Sequence, residues 1–155
     1  MRIRTYEPGD RAHCVELLRA NTPEYFGPRD EDDFVRFLEA PQGRYFVIED
    51  EGGLILGAGG IAGDENVAVL CWGMVHPDWQ RMGIGSALLQ HRVDVRRASQ
   101  PELRLVRVDT SQRAQGFFEA HGFIATRVEP DGYAPGLDRV SMERPVLRES
   151  RPAPT

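Results

Sequence analysis

The chain has 155 residues, 41% of them hydrophobic and 28% charged, which is enough for one globular domain with its own core. Acidic residues number 24 against 19 basic ones, and the formal net charge of −5 argues against nucleic acid or an anionic membrane as the main partner. No signal peptide and no stretch of membrane-spanning length is present, so we expect a cytoplasmic protein. Cys14 and Cys71 lie in apolar patterns without metal-ligand spacing, which indicates buried, reduced thiols and no metal site.

The first sixty residues predict two helices followed by a hairpin of strands. After a first alternating strand, Asp10 is placed to cap a helix, and the acidic run Asp30–Asp33 suits the first turn of a second helix. An alternative for the acidic run is a negatively charged lip that attracts a cationic substrate. Arg44–Glu49 and Leu54–Ala62 then predict two strands joined by a glycine-containing turn.

The second of these strands contains a glycine pattern that imitates a nucleotide site. Gly57, Gly59 and Ala62 fit the Gly-x-Gly-x-x-Gly/Ala pattern of dinucleotide-binding proteins. That pattern requires a helix immediately downstream, whereas a turn at 63–66 and another apolar strand follow here. We therefore interpret the glycines as part of a close-packed strand and reject a nucleotide site.

An uncharged strand, a loop and a helix come next. The strand, Val67–Val75, has the apolar run typical of burial on both faces. A helix begins near Gly83, and its apolar stripe consists of Ile84, Ala87, Leu88, His91 and Val95. Gly83 and Gly85 let a ligand approach the backbone closely, and the free N–H groups of the first turn favour an anion.

The loop between this strand and helix resembles a family signature. Gln80-Arg81-Met82-Gly83-Ile84-Gly85 is similar to the Gln/Arg-x-x-Gly-x-Gly/Ala segment of the GNAT family, the Gcn5-related N-acetyltransferases. The resemblance implies that this segment binds the pyrophosphate of acetyl-coenzyme A and that the end of the strand pairs with the pantetheine arm through its main chain. The residues implied to bind the cofactor are Met74, Val75, Gln80, Arg81, Met82, Gly83, Ile84, Gly85, Ser86, Ser111 and Phe118.

The resemblance also implies the fold. It is α/β, of the α+β type: a mixed, mostly antiparallel sheet with one parallel pair that splays apart, flanked by helices. We expect one domain over residues 1–145 and a disordered tail over residues 146–155. In the second half of the chain we expect a strand at 103–109, a short helix opened by Ser111, strands at 123–129 and 139–143, and a loop over Pro130–Asp138.

A second signature departs from the family at two positions. The segment from Ser111 to Phe123 resembles Asn-x-x-Ala-x-x-Phe-Tyr-x-x-x-Gly-Phe, but Ser111 replaces the Asn and Phe118 replaces the Tyr that commonly protonates the leaving thiolate. Phenylalanine has no proton to give. Ser111 and Tyr133 are the candidates to take its place, although Ser111 could instead cap the helix and Tyr133 could be an ordinary loop residue. The central strand carries no carboxylate, so no general base is assigned.

These observations lead to two hypotheses about function. In the first, the protein is an N-acetyltransferase that moves acetyl from acetyl-coenzyme A to a primary amine of a small molecule or peptide by direct attack, without a metal. In the second, it is a non-catalytic acyl-coenzyme A sensor, a reading that Phe118 favours. The partners expected are acetyl-coenzyme A and an amine acceptor, with the protein a monomer or a homodimer.

Overall fold

The computed structural model describes residues 1–147, in which seven strands and four α-helices form one layered sheet structure. The strands are β1 (Arg2–Thr5), β2 (Arg44–Glu49), β3 (Ile55–Gly63), β4 (Val67–Val75), β5 (Leu105–Thr110), β6 (Ile124–Ala134) and β7 (Leu137–Pro145). The helices are α1 (Arg11–Ala20), α2 (Asp30–Glu39), α3 (Ile84–Ser99) and α4 (Gln115–Ala120). Within residues 1–147 no helix has the length and apolar character needed to cross a membrane.

The strands form a single mixed sheet, which confirms the expected fold class. Their order is β1-β2-β3-β4-β5-β7-β6, and β4 and β5 are parallel while the other neighbours are antiparallel. Helices α1 and α2 cover one face, where Leu18, Phe34 and Tyr45 are buried together. Helix α3 covers the other face, where Leu88 packs with Val106. Each face of the central strands is therefore buried, as their apolar sequences require.

Strand β4 consists of two segments with different neighbours. The paired segment, Val67–Leu70, is hydrogen-bonded to β3 on one side and to β5 on the other. Among the seven strands of residues 1–147, the open segment, Cys71–Val75, pairs with β3 alone, because the register with β5 ends where Leu70 meets Val108. Strand β5 continues in partnership with β7 to Thr110, so a gap opens between the two parallel strands.

A β-bulge marks the boundary between these segments. The register of β3 against β4 shifts between Ala58 and Gly60. Trp72 and Gly73 share the place opposite Gly59, and Trp72 has a left-handed φ of 47°. A bulge leaves one residue without a ladder partner and increases the local twist, which accounts for the divergence of β4 from β5 beyond this point.

The prediction of a loop over Pro130–Asp138 is wrong, because most of this segment belongs to strands. Strand β6 runs on to Ala134, and β7 begins at Leu137 after a turn of two residues. The register between β6 and β7 is irregular between Glu129 and Ala134, and β6 is the edge strand of the sheet. At an edge, proline costs no ladder hydrogen bond and an irregular pairing absorbs the glycine, so this turn-rich sequence forms a strand.

Three smaller expectations are also corrected. Helix α4 begins at Gln115, and Ser111 precedes it in a turn, so Ser111 is not its N-cap. The buried side of α3 is rotated from the expected stripe: Ala87 is exposed, and the buried residues are Ile84, Leu88, Leu89, Arg92 and Val93. Asp10 is the N-cap residue of α1 as expected, but its carboxylate makes no capping hydrogen bond and pairs with Arg4 at 2.8 Å. Of the tail expected over residues 146–155, residues 148–155 lie outside the described part of the chain.

Candidate active site

A cleft of about 1020 Å³ lies where β4 and β5 part, and residues from both faces of the sheet line it. On the α1 and α2 face its wall includes Tyr25, Phe26, Asp30, Trp72 and Tyr133. On the α3 face its wall includes Gly83, Gly85, Ser86, Arg92 and Phe118. Two molecules entering from opposite faces could therefore meet at the open segment of β4.

The first turn of α3 presents its backbone to the cleft. Gly83 is the N-cap with a φ of 80°, and a Cβ there would meet no atom within 4 Å. A Cβ at Gly85 would lie 3.3 Å from the Phe117 ring, so glycine keeps this approach open. The N–H groups of a first helical turn have no partner within the helix, and together with the dipole they attract an anion.

A histidine fixes the hydroxyl beside this turn. His121 Nδ1 lies 2.7 Å from the carbonyl oxygen of Phe117, so in the neutral ring Nδ1 carries the proton. Nε2 is then the acceptor, and it lies 2.8 Å from the Oγ of Ser86, which donates to it. The lone pairs of the Ser86 oxygen remain available to accept hydrogen bonds. Through His121, this hydrogen bond links the end of α4 to the first turn of α3.

The sequence-predicted site residues mostly lie on the cleft wall. Those that line it are Met74, Val75, Gln80, Arg81, Gly83, Gly85, Ser86, Ser111, Phe118 and Tyr133. Two do not. Met82 is 58% exposed, and Ile84 is buried in the core with Ile48 and Leu56, so Ile84 can offer only its backbone amide.

Gln80 has a structural task that the signature did not predict. Its Nε2 donates to the side-chain oxygen of Asn21 at 3.2 Å and to the carbonyl of Val75 at 3.1 Å. Its Oε1 accepts from the Tyr25 hydroxyl at 3.4 Å. Gln80 thus ties the loop after α1 to the end of β4 and holds the wall of the cleft in place.

An aromatic and acidic surface forms the wall on the α1 and α2 face. The Phe26 and Trp72 rings are stacked, with centroids 6.2 Å apart. Beside them Asp30 Oδ2 accepts the N–H of Gly27 at 2.7 Å, and burial raises the pKa of this carboxyl. A Cβ at Gly27 would lie 3.1 Å from the carbonyl of Tyr133, so this loop reaches across to β6. Aromatic faces beside a carboxylate suit an ammonium group.

A hydrogen-bonded acid lies where β5 borders the cleft. Arg139 donates to Asp109 at 2.5 Å, and the Ser141 hydroxyl donates to it at 2.7 Å. Burial opposes ionisation, but these hydrogen bonds lower the pKa of Asp109 overall. Burial, together with the charge on Asp109, raises the pKa of Tyr133 to about 12. Tyr133 is therefore protonated at neutral pH and can donate a hydrogen bond.

The remaining polar candidates in the cleft have restricted chemistry. Ser111 is buried, and its Oγ accepts the N–H of Arg113 at 3.3 Å. Burial raises the pKa of Cys71 to about 11, so its thiol is protonated at neutral pH and is a poor nucleophile. No cluster of three or more His, Cys, Asp and Glu side chains that could hold a metal occurs in residues 1–147.

Arg92 is a wall residue that the sequence reasoning missed. It lies on the buried side of α3 and is only 4% exposed. Its Nε donates to the carbonyl of Leu88 at 3.3 Å and its Nη1 to the carbonyl of Gly60 at 3.1 Å. The available signal was a charged residue four positions after Leu88 and three after Leu89, on the apolar side of a helix.

Comparison with known proteins agrees with this geometry. The family model for the acetyltransferase (GNAT) domain matches residues 41–125, from β2 to the start of β6. That match covers more than half of the chain and includes β4, the first turn of α3 and the whole cleft edge of β5. No curated protein matches the chain.

Solved structures share the fold at low sequence identity. An aminoglycoside 6′-N-acetyltransferase complexed with coenzyme A is 15% identical, with 97% of this chain and 100% of that chain covered and a TM-score of 0.76. The ribosomal-protein-S18-alanine N-acetyltransferase of Escherichia coli is 19% identical, with 99% of each chain covered and a TM-score of 0.79. YncA of Salmonella typhimurium, solved with its cofactor acetyl-CoA, is 20% identical, with 99% and 98% covered and a TM-score of 0.73. With the family model matched over more than half of its residues, this chain belongs to the GNAT family of acetyltransferases.

Proposed function

We propose that the protein is an acetyl-coenzyme A-dependent N-acetyltransferase that acetylates a primary amine of a small molecule or peptide. One domain spanning residues 1–145 carries the whole activity. The observation that carries the proposal is the cleft between β4 and β5, because it joins an anion-binding helix terminus on one face to an acidic, aromatic wall on the other.

The α3 face supplies the features that acetyl-coenzyme A needs. The diphosphate of the cofactor binds the backbone amides from Gly83 to Ser86, where glycine leaves space for it. The pantetheine arm pairs with the main chain of the open segment at Met74 and Val75, which lie beyond the last residue of β4 that pairs with β5. The Val75 carbonyl already accepts a hydrogen bond from Gln80, so it has one lone pair left for the cofactor. The solved relative complexed with coenzyme A and the one with acetyl-CoA support this assignment, since both share the fold.

The acceptor enters from the α1 and α2 face. An ammonium group is held by the Asp30 carboxylate and the rings of Phe26 and Trp72 until it loses a proton. The neutral amine nitrogen then attacks the thioester carbonyl carbon, the carbon–sulfur bond breaks, and the amine's second proton balances the departing thiol. Asp30 suits the role of first proton acceptor because burial raises its pKa, which makes the carboxylate a stronger base.

Tyr133 assists the leaving group by a hydrogen bond. A thiol has a pKa near ~8.5, so a hydroxyl with a pKa of about 12 does not give up its proton to the thiolate. It can still stabilise the developing charge as a donor. Ser111 is the second candidate donor, because its oxygen accepts from Arg113 while its hydroxyl hydrogen has no acceptor among residues 1–147.

Phe118 favours a second candidate function, an acyl-coenzyme A sensor without turnover. It lines the cleft where the family signature places a tyrosine, and it packs edge-to-face against Phe123 at 5.3 Å. Thiol release against a panel of primary amines separates the two functions. Amine-dependent release above background supports the enzyme, whereas tight coenzyme A binding without release on any amine supports the sensor.

The experiment that tests cofactor binding is Gly83→Glu, measured by calorimetry with coenzyme A. A carboxylate at the N-cap of α3 repels the diphosphate, and we expect affinity to fall by more than about tenfold, equivalent to ~1.4 kcal/mol. Gly53→Glu is the matched control: Gly53 has a φ of 85° and Gly83 one of 80°, and neither has an atom within 4 Å of its Cβ position. Equal affinity in the two variants would overturn the proposal.

A further inference from the structure

The guanidinium of Arg92 is a buried cation without an anion. Within residues 1–147 no carboxylate forms an ion pair with it. The ionisable acids close enough to interact with it there are the Cys71 thiol and the Tyr45 phenol. Burial raises the pKa of both of those groups, so both are neutral at physiological pH. Burial lowers the pKa of Arg92 to about 10, which still leaves it charged. A buried charge is stabilised only when a partner is supplied.

The sheet is shaped to admit this side chain. A Cβ at Gly59 would lie 2.9 Å from the Cζ of Arg92, and one at Gly73 would lie 3.4 Å from its Nη1 and Nη2. Any larger residue at Gly59 would displace the guanidinium. The group therefore lies directly under the bulge of β4, against the α3 face of the open segment.

Its donors are only partly used. Nε and Nη1 each donate one hydrogen bond to a backbone carbonyl, while Nη2 has no acceptor within residues 1–147. Nη2 is nevertheless accessible from outside the protein, because Arg92 lines the cleft and Nη2 is not completely buried. Two N–H groups of Nη2 and one of Nη1 are thus available to an anion in the cleft.

The position of Arg92 separates it from the diphosphate site. It follows Ile84, the first residue of α3, by eight residues, which is about 12 Å along a helix. It is also on the face opposite to Asp30, where the acceptor amine is held. These separations argue against the diphosphate and against a group on the acceptor as the anion at Arg92, and they favour the acyl group of the donor.

We propose that Arg92 binds a carboxylate at the far end of the acyl group, so that the preferred donor is the coenzyme A thioester of a short dicarboxylic acid. This rests on the proposed function: it keeps the coenzyme A site, the amine acceptor and the direct attack, and it replaces acetyl by a longer acyl group as the preferred donor. The amine nitrogen attacks the thioester carbonyl, the thiol leaves, and the product is an amide that retains the second carboxylate. Planar guanidinium donors match a carboxylate in geometry and charge. Acetyl is too short to supply this anion and is used less efficiently.

The test compares two donors of equal chain length, succinyl-coenzyme A and butyryl-coenzyme A. Dissociation constants are measured by calorimetry, and thiol release is followed with a primary amine. In the parent protein we expect succinyl-coenzyme A to bind at least tenfold more tightly. Arg92→Met removes the charge while filling similar volume, and it should reduce this ratio to about one without changing the affinity for coenzyme A itself. Arg92→Lys should retain part of the ratio.

Arg97→Met is the control, because Arg97 is exposed on the same helix and does not line the cleft, and its Nη2 donates to the carbonyl of Leu147 at 3.4 Å. It should leave the donor ratio unchanged. A parent protein that binds coenzyme A but does not distinguish the two donors overturns this inference and leaves the proposed function standing. A parent protein that does not bind coenzyme A overturns both.

A second experiment varies the acceptor amine and tests whether the carboxylate bound by Arg92 belongs to the acceptor instead of the acyl group. Phenylalanine and phenethylamine differ by a carboxylate on the acceptor, and each is tested with acetyl-coenzyme A in the parent and in Arg92→Met. A preference for phenylalanine that Arg92→Met abolishes, without any effect on the donor ratio, would assign the anion to the acceptor and overturn the assignment to the acyl group.

Discussion

The two segments of β4 differ in what surrounds them rather than in composition. Both are apolar, and both pair with β3. The paired segment has β5 on its other side, whereas the open segment has a bulge, a cleft and an arginine beneath it. One strand thus serves as the centre of the core along its first half and as the wall of a binding site along its second.

The comparison teaches how a fold can keep backbone groups available inside a sheet. Main-chain groups in a buried strand are normally satisfied by both neighbours. The bulge at Trp72 and Gly73 turns β4 away from β5 without breaking its pairing with β3. Stability is therefore expected to depend on the paired segment and function on the open one.

The largest expected effect is on stability, at Leu70 in the paired segment. Leu70 is 3% exposed and packs between α3 and β5, so Leu70→Ala should lower the free energy of unfolding by about 2–5 kcal/mol. Val69→Ala, at a neighbouring position that is 40% exposed, should cost only about 0.5 kcal/mol. Urea denaturation of the three proteins measures both values. A similar cost for the two variants would mean that the paired segment is not the core of the sheet.

Most of the individual strands and helices could be predicted because their signals are local, whereas the splayed parallel pair was implied by the family resemblance. The uncharged strand β4, the glycines at the start of α3 and the turn signals of β2 and β3 each act over a few residues. The edge strand β6 could not be predicted, since Pro130 and Gly132 indicate a loop unless the partner strand is known. The pairing of β6 with β7 depends on the tertiary structure, and the irregular register between the two strands accommodates Pro130 and Gly132.

The site was predictable only where it is made of backbone. Gly83 and Gly85 indicate a helix N-terminus with an accessible backbone, and this prediction does not depend on the surrounding side chains. Asp109 borders the cleft because the pairing of β4 with β5 ends at Leu70 and Val108, and Arg92 lines it because the buried side of α3 is rotated by one position. Neither residue belongs to a motif. For Arg92 the missing information was that Gly59 and Gly73 leave room for a guanidinium, a coincidence of two strands that no spacing in the sequence reveals.

A smaller effect is expected at the mouth of the open segment, where Asp30 faces the acceptor. Asp30→Asn keeps an oxygen for the N–H of Gly27 but loses the charge, so we expect KM for the amine to rise about tenfold with little change in coenzyme A affinity. Asp32→Asn is the control, because Asp32 is exposed in the same helical turn and does not line the cleft. Steady-state kinetics that leave the amine KM unchanged in Asp30→Asn would place the acceptor elsewhere.

The same residue predicts the acid side of the pH profile. Burial raises the pKa of Asp30, so the carboxylate is lost as the pH falls through this raised value. The acid limb of kcat/KM for the amine should therefore lie above the ordinary aspartate value of about 3.9. In Asp30→Asn this limb should disappear, while Asp32→Asn should retain it. A limb at the same pH in all three proteins would belong to a different group.

The smallest expected effect tests what holds the bulge itself. The hydroxyl of the buried Tyr45 side chain donates to the carbonyl of Trp72 at 2.8 Å. This hydrogen bond links β2 to the bulge, where Trp72 has a left-handed φ. Tyr45→Phe leaves that carbonyl without its partner, and we expect a loss of about 1 kcal/mol in the free energy of unfolding. Because the carbonyl belongs to the open segment, kcat should fall about threefold or more, while coenzyme A affinity should fall by less, since the diphosphate contacts at the helix terminus are untouched.

Tyr6→Phe provides the matched comparison for that variant. Tyr6 packs edge-to-face on Tyr45 at 5.8 Å, so the same atom is removed from the neighbouring ring without touching the bulge. If both variants behave alike in denaturation and in kinetics, the bulge is held by the β3 register alone. If only Tyr45→Phe loses turnover, a side chain two strands away sets the geometry of the open segment, and the division of β4 into two segments is maintained by β2 as well as by β5.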